Sequence, residues 1–236
     1  HLKMTGQLVY RKGEDVVMGG HGMQDLGMDS RRSPSRSAMA EHGRGNDNQG
    51  DGKYKYAVLE MKFEDGSTLM MNDLRQFGYV KLVDEQEKNK ESLKFGIEPL
   101  QKNFTLDNFR ALVRKHPKLK LKSFLLNQKN IAGIGNIYAD EICFAAQVKP
   151  LRLAGELNED EIKNVFIACE AILKLAIDKR GTTFRNYVDS EGKSGDFKDF
   201  LKVYGRGGDS CKICGGSIQR VKISGRGTCF CGKCQV

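Results

Sequence analysis

The stretch Cys211–Val236, CKICGGSIQRVKISGRGTCFCGKCQV, packs five of the chain's seven cysteines into its last residues, with five Lys or Arg and no Asp or Glu. Cys211 and Cys214 form one Cys-x-x-Cys pair, and Cys231 and Cys234 form a second, sixteen residues further on. Each pair can place two thiolates on one turn, and two such turns make a tetrahedral four-sulfur site. Between them IQRVKI alternates and SGRG turns, which predicts a β-hairpin held by a metal. Zinc fits this ligand set better than an iron–sulfur cluster or disulfides. With all four positions filled by thiolates, the ion is structural. Cys229 breaks the paired pattern and reads as a hairpin side chain. Short spacing at one end also argues for a reducing cytosol over a secreted disulfide framework.

The hairpin turn carries Arg226, and Arg220, Lys222 and Lys233 flank it. No acid in the module balances these charges, so a rigid cationic arm is set to meet a phosphate backbone. The whole chain is basic as well. Its 236 residues carry a net charge of +9, with a pI of about 9.1. Such a balance attracts polyanions, nucleic acid first. No apolar run reaches the ~18 residues that span a bilayer, and no signal peptide opens the sequence.

Upstream, the period is helical. Thr105 caps a helix running through Arg114, and Pro117 stops it. KLKSFLLNQKN (Lys120–Asn130) predicts a second helix, NIYADEICFAAQ (Asn136–Gln147) a third, and NEDEIKNVFIACEAILKLAIDKRG (Asn158–Gly181) a fourth. In the last, Asn158 caps, Glu161 completes a capping box, and Gly181 lies past the end. Ile162, Val165, Phe166, Cys169, Ile172, Leu173, Ala176 and Ile177 form its buried stripe, which makes Cys169, like Cys143, a packing residue. From Phe109 to Asn130 there are seven Lys or Arg and no acid. Gly133 and Gly135 precede the third helix, whose free N–H groups suit a phosphate, with Asn136 as a further donor; a tight interhelical turn accounts for the glycines equally well.

The front of the chain reads as antiparallel sheet. Residues 1–17 have strand character. Leu59, Met61 and Phe63 alternate with charged residues, and EDGS (Glu64–Ser67) supplies a hairpin turn. Met18–Lys53, rich in Gly, Ser, Asn, Asp and Arg, is expected to be a long flexible loop. The expected class is therefore α+β, with a β-rich, antiparallel front over 1–100 carrying the insert 18–53, a helical middle over 101–205, and a small metal-held module over 206–236.

Four blocks together resemble the formamidopyrimidine-DNA glycosylases and their endonuclease-type relatives. LLNQKNIAGIGNIYADEICFAAQVKPLR (Leu125–Arg152) is similar to the family's helix–two-turn–helix, and Cys211–Gln235 to its zinc finger. HLKMTGQL (His1–Leu8) and NDLRQFG (Asn72–Gly78) are similar to two segments of its β-sandwich. GTTFRNYVDSEGKSGDF (Gly181–Phe197), leading to VYGRGG, is similar to its lesion-facing loop. The resemblance implies a bacterial base-excision enzyme of the cytoplasm and nucleoid, a monomer that removes oxidised purines from duplex DNA and cleaves abasic sites. It implies that Met4, Arg75 and Phe77 fill the gap left by an extruded base, and that Asn136 and Arg226 grip flanking phosphates, Arg226 also assisting elimination.

The sequence departs from the family pattern at Tyr56, where His is common, and at Asn127, where Asp is common. The family's nucleophile is an amino-terminal proline, followed by a glutamate and, further on, a lysine. A start at His1 in place of methionine leads to the expectation of a fragment without these groups, and the His1 amine, on a strand away from the nucleophile position, is not expected to replace them. Two other readings share some features: a non-catalytic zinc-dependent binder of damaged DNA, and a zinc-ribbon protein with the cysteine spacing alone. AGIGNIYADE speaks against the last.

Overall fold

The computed structural model describes residues 6–21, 56–73, 75–182, 187–188 and 195–236. Met4, residues 22–55 and most of 183–194 lie outside the described residues. The chain divides into two compact units, one drawn from 1–81 and 180–198, the other from 82–179 and 199–236.

The first unit is an antiparallel sheet. Its strands are β1 (Gly6–Lys12), β2 (Asp15–His21), β3 (Ala57–Lys62), β4 (Thr68–Asp73) and β5 (Tyr187–Val188), in the order β3-β4-β1-β2-β5. The expected strand over 1–17 is instead a hairpin. Gly13, at φ 60, turns the chain, and β2 pairs back along β1 with Lys12 opposite Asp15. β2 continues through 18–21, which composition had assigned to the loop. Ladder hydrogen bonds come from the backbone, so pairing with β1 holds a glycine-bearing segment that has few apolar side chains. The EDGS hairpin forms as expected. Asp65 Oδ1 accepts from the Ser67 N–H at 3.0 Å and from its hydroxyl at 2.6 Å, while Gly66 takes φ 78. Phe63 does not continue the buried face of β3; it lies past the last strand residue and is 47% exposed.

The second unit is helical with a small hairpin. α1 (Glu85–Ser92) is capped by Asp84 and buries no residue, so it offered no apolar period to read. α2 (Leu106–Lys115) starts at Thr105, whose hydroxyl accepts from the Asn108 N–H. α3 (Leu121–Leu126), α4 (Asn136–Ala145) and α5 (Glu159–Asp178) follow. Phe109, Phe124, Leu125, Ile134, Ile142 and Ile162 are fully buried between them, and Phe104 stacks on Phe166 at 4.9 Å.

α3 is shorter than expected. Asn127 Oδ1 accepts from the Lys129 N–H, and this local bond competes with continuing the helix. α5 has the expected capping box, Asn158 Oδ1 accepting from the Glu161 N–H and Glu161 Oε2 from the Asn158 N–H, both at 2.9 Å. Its stripe ends sooner than expected: Ile177 is 66% exposed, because the last turn runs past the core. β6 (Ile218–Ile223) and β7 (Arg226–Cys231) close the chain as the expected hairpin, turning through Ser224 and Gly225 at φ 47 and 76.

Candidate metal centre and nucleic-acid interface

The sulfurs of Cys211, Cys214, Cys231 and Cys234 all lie within 4.8 Å of one another. Four sulfurs about 2.3 Å from a central ion sit about 3.8 Å apart at a tetrahedron's corners. The pairs Cys211–Cys234 and Cys214–Cys231 are 3.8 and 3.5 Å apart, so the four residues fit one structural zinc ion. Cys229 is buried but stands outside this group. Cys143 and Cys169 lie in the helical core, where burial pushes both thiols well up, as packing residues require.

What seats this module on the helices is a set of contacts that sequence reasoning missed. Lys122 of α3 and Asp140 of α4 are both fully buried and pair at 2.7 Å. Lys122 Nζ also donates to the Gly227 carbonyl at 2.8 Å and to Thr228 Oγ1 at 3.0 Å. Asp140 Oδ2 accepts from the Cys229 N–H at 2.9 Å. Burial pushes the Asp140 carboxyl up to about 6, against the opposing pull of Lys122. Two side chains therefore satisfy the outer edge of β7 at Gly227 and Cys229.

Glu141, the next residue, accepts from three successive backbone N–H groups, Lys202, Val203 and Tyr204, at 2.8–2.9 Å. Gln235 ties the end of the same strand, accepting from the Cys231 N–H and donating to the Val148 carbonyl. The only sequence signal for these bonds was the run of polar residues Asp140 and Glu141 within an otherwise apolar helix face.

Asn136 is the first residue of α4, after Gly135. The turn leading to it is braced at several points. Gln128 donates to the Ile134 carbonyl and accepts from the Gly133 N–H, and Gly133 takes φ 88. The amide of Asn127 supplies a turn acceptor here, so the departure from aspartate leaves the local bond in place. The segment Gly96–Ile97 packs alongside, with Gly96 N–H donating to Gln128 O and Ile97 N–H to Asn130 O. Asn136 Oδ1 and Asn130 Nδ2 are buried with no partner among the described residues. No side chain caps α4, so the N–H groups of its first turn have no side-chain acceptor among the described residues.

Arg226 opens β7 and is exposed. Not all of the expected cationic run is available to a ligand. Arg110 and Arg114 both bind Glu159, at 2.7 and 2.8 Å, and Lys122 is buried. Lys115, Lys118, Lys120 and Lys129 remain exposed.

In the sheet unit, Arg75 and Phe77 stand on one tight turn. The Arg75 guanidinium lies 4.8 Å from the centre of the Phe77 ring, which is 60% exposed. The fully buried Asp73 builds this turn, accepting from the Arg75 N–H at 3.1 Å and the Gly78 N–H at 2.6 Å. Gln76 takes φ 55 within it. Tyr56 contributes its carbonyl, which accepts from the Asp73 N–H at 2.9 Å, a role independent of its side chain.

Two family models match the chain: the formamidopyrimidine-DNA glycosylase H2TH domain over residues 95–187, and the zinc finger found in FPG and IleRS over residues 208–236. Formamidopyrimidine-DNA glycosylase from Listeria innocua is 44% identical over 183 residues, which cover 77% of this chain and 67% of that protein. The enzyme of the same name from Heliobacterium modesticaldum is 37% identical over 238 residues, covering 100% of this chain and 73% of its own length. The structure is similar to that of Lactococcus lactis Fpg in complex with DNA containing an abasic site, at TM-score 0.73 and 31% identity, over all of this chain and 73% of that one. The Fpg protein from Thermus thermophilus matches 77% of this chain and 69% of its own at TM-score 0.70 and 34% identity. The chain belongs to the formamidopyrimidine-DNA glycosylase family.

Proposed function

We propose that this chain grips kinked, damaged duplex DNA and exposes the lesion for a glycosylase that removes oxidised purines and then cleaves the abasic site as a lyase. The observation that carries the reading is the seating of the metal hairpin on α4. One helix begins at Asn136 and, a turn later, holds the strand that begins at Arg226. Two donors suited to phosphate are thus borne by one compact unit, on a chain of net charge +9.

In this reading Asn136 and Arg226 bind phosphates beside the extruded nucleotide, and Arg226 assists elimination. Arg75 takes the orphaned partner base, Phe77 wedges beside it, and Met4 fills the vacated space. Support for the middle pair is their geometry: a cation resting on an exposed ring is a ready filler and wedge. The Lactococcus lactis relative was solved on DNA with an abasic site, which fits this class of partner.

The nucleophile and its acid–base groups are assigned to a part of the enzyme outside these 236 residues. The match to the Heliobacterium relative, all of this chain against 73% of that protein, is consistent with such a part. The protein acts as a monomer in the bacterial cytoplasm, at the nucleoid, a reading supported by its bacterial relatives.

The test is borohydride trapping of the whole gene product on duplex DNA holding an oxidised guanine. Attack of an amine on the sugar's anomeric carbon expels the base and leaves an imine, which borohydride reduces to a stable adduct. A covalent adduct is expected. Tight binding with no adduct would leave a binder in place of an enzyme and overturn the reading.

A further inference from the structure

Lys122 and Asp140 are unusual as structural residues. A buried ion pair recovers little net stability once desolvation is counted, and an apolar pair of the same volume often does as well. Yet these two charges are fully buried, and beyond the ion pair the hydrogen bonds of both go to one short piece of strand. Lys122 reaches the Gly227 carbonyl and Thr228 hydroxyl, and Asp140 the Cys229 N–H. β7 pairs on its other side with β6, so this is the free edge of a two-stranded ribbon. Such a ribbon is marginal alone, and its metal sits at the far end of β7, at Cys231.

The end that bears Arg226 is therefore fixed by the ion pair. On α4, Asp140 lies four residues after Asn136, so the two share one helix face a single turn apart. The pair thereby sets where Arg226 stands relative to Asn136.

We propose that Lys122 and Asp140 are positioning residues: they hold the Arg226 end of the hairpin in register with the N-terminus of α4, so that both can engage one phosphate backbone together. This rests on the assignment of Asn136 and Arg226 as phosphate-binding residues. The role differs from that of the zinc site, which keeps the hairpin folded but leaves its tip to be aimed.

The decisive variant replaces both charges with apolar side chains, Lys122→Met with Asp140→Leu. It leaves no unpaired charge in the core, and the four cysteines are untouched. Zinc content of one ion per chain and a cooperative unfolding transition are expected to persist. Affinity for an abasic-site duplex is expected to fall about tenfold, the scale of a single phosphate interaction. The discriminating readout is a double-mutant cycle. Arg226→Ala should weaken binding about tenfold in the parent chain and less than about threefold in the Lys122→Met/Asp140→Leu background, because an Arg226 that is no longer aimed contributes little there. A merely structural pair would leave the Arg226→Ala effect equal in both.

Hydrogen exchange of the free, zinc-loaded chain gives an independent answer. Amides of Arg226–Thr228 should exchange about tenfold faster in the double variant, while those of Ile218–Val221 stay protected. Unchanged exchange at Arg226–Thr228, or an undiminished Arg226→Ala effect, overturns the proposal. If the parent chain binds no abasic duplex, the assignment of the phosphate-binding residues fails, and exchange alone still decides whether the pair aims the hairpin. Should the double variant not fold, Lys122→Met with Asp140→Asn removes the bonds to Gly227 and Thr228 without leaving an unpaired charge and is judged by the same two readouts.

Discussion

Replacing Gly96 with alanine tests how the helix–two-turn–helix is braced. A Cβ on Gly96 would lie 2.2 Å from the Asn130 oxygen, 2.3 Å from its carbonyl carbon and 2.7 Å from the Lys129 oxygen. All three are backbone atoms, so no side chain can rotate away, and the two segments must part by about 1 Å to reach ordinary contact. That movement breaks the bonds between them: Gly96 N–H to Gln128 O at 2.8 Å, Ile97 N–H to Asn130 O at 3.2 Å, and Ala132 N–H to Ile97 O at 2.9 Å. At about 1 kcal/mol net for each of the three bonds, with an overpacking cost of about 1–3 kcal/mol, the loss is about 4–6 kcal/mol. The stiffer unfolded chain returns about 0.4–1 kcal/mol. Gly96→Ala should therefore destabilise the chain by about 3–5 kcal/mol in urea unfolding followed by helical circular dichroism. Gly135→Ala serves as the control: nothing lies within 4 Å of its added Cβ, and a change of about 1 kcal/mol or less is expected. A Gly96→Ala variant within about 0.5 kcal/mol of the parent would show that the two segments do not brace each other.

Other outcomes follow from the same geometry. Cys231→Ser should abolish stoichiometric zinc, whereas Cys229→Ser should keep it, as read by metal analysis of the purified chains. Asp73→Ala should cost about 1–3 kcal/mol, since two N–H groups lose a fully buried acceptor, and it should weaken binding to abasic duplex by freeing the turn that carries Arg75 and Phe77. For Glu161, burial pushes the carboxyl up, but the Arg152 guanidinium and the Asn158 N–H outweigh it, so its pKa lies below the ordinary 4.5. A depressed carboxyl stabilises the fold above its unfolded value and loses that contribution as pH falls through the folded one. Denaturant midpoints of the parent and of Glu161→Gln should therefore differ at neutral pH and converge below pH 4.5.

How much of this was legible beforehand depended on whether the signal was local. The paired cysteines could be read because metal ligands come two to a turn, at fixed spacing. α5 could be read because its cap, its stripe and the glycine after it agree. α1 could not, since a helix that buries nothing has no apolar period. β2 was hidden because ladder pairing does not depend on side-chain size, so a Gly-bearing strand looks like a loop. Lys122 misled more directly: a lysine among six other cations reads as a ligand-facing charge, and its partner sits eighteen residues on, behind a turn. Asp73 was unremarkable until the turn it builds was seen. Asn136 could be read from its place at a helix start, whereas Arg75 and Phe77 drew attention through family resemblance, and composition alone would have left the phenylalanine in the core, although it is 60% exposed.

If a metal-held arm and the start of α4 grip one phosphate backbone together, the salt dependence of binding to an abasic-site duplex must report it. The comparison is between the parent chain and Asn136→Ala/Arg226→Ala with zinc still bound. Removing the one cation should lower the slope of log affinity against log salt by about 1, and removing both donors should weaken binding about a hundredfold. A double variant with the parent's slope and affinity would contradict the shared grip.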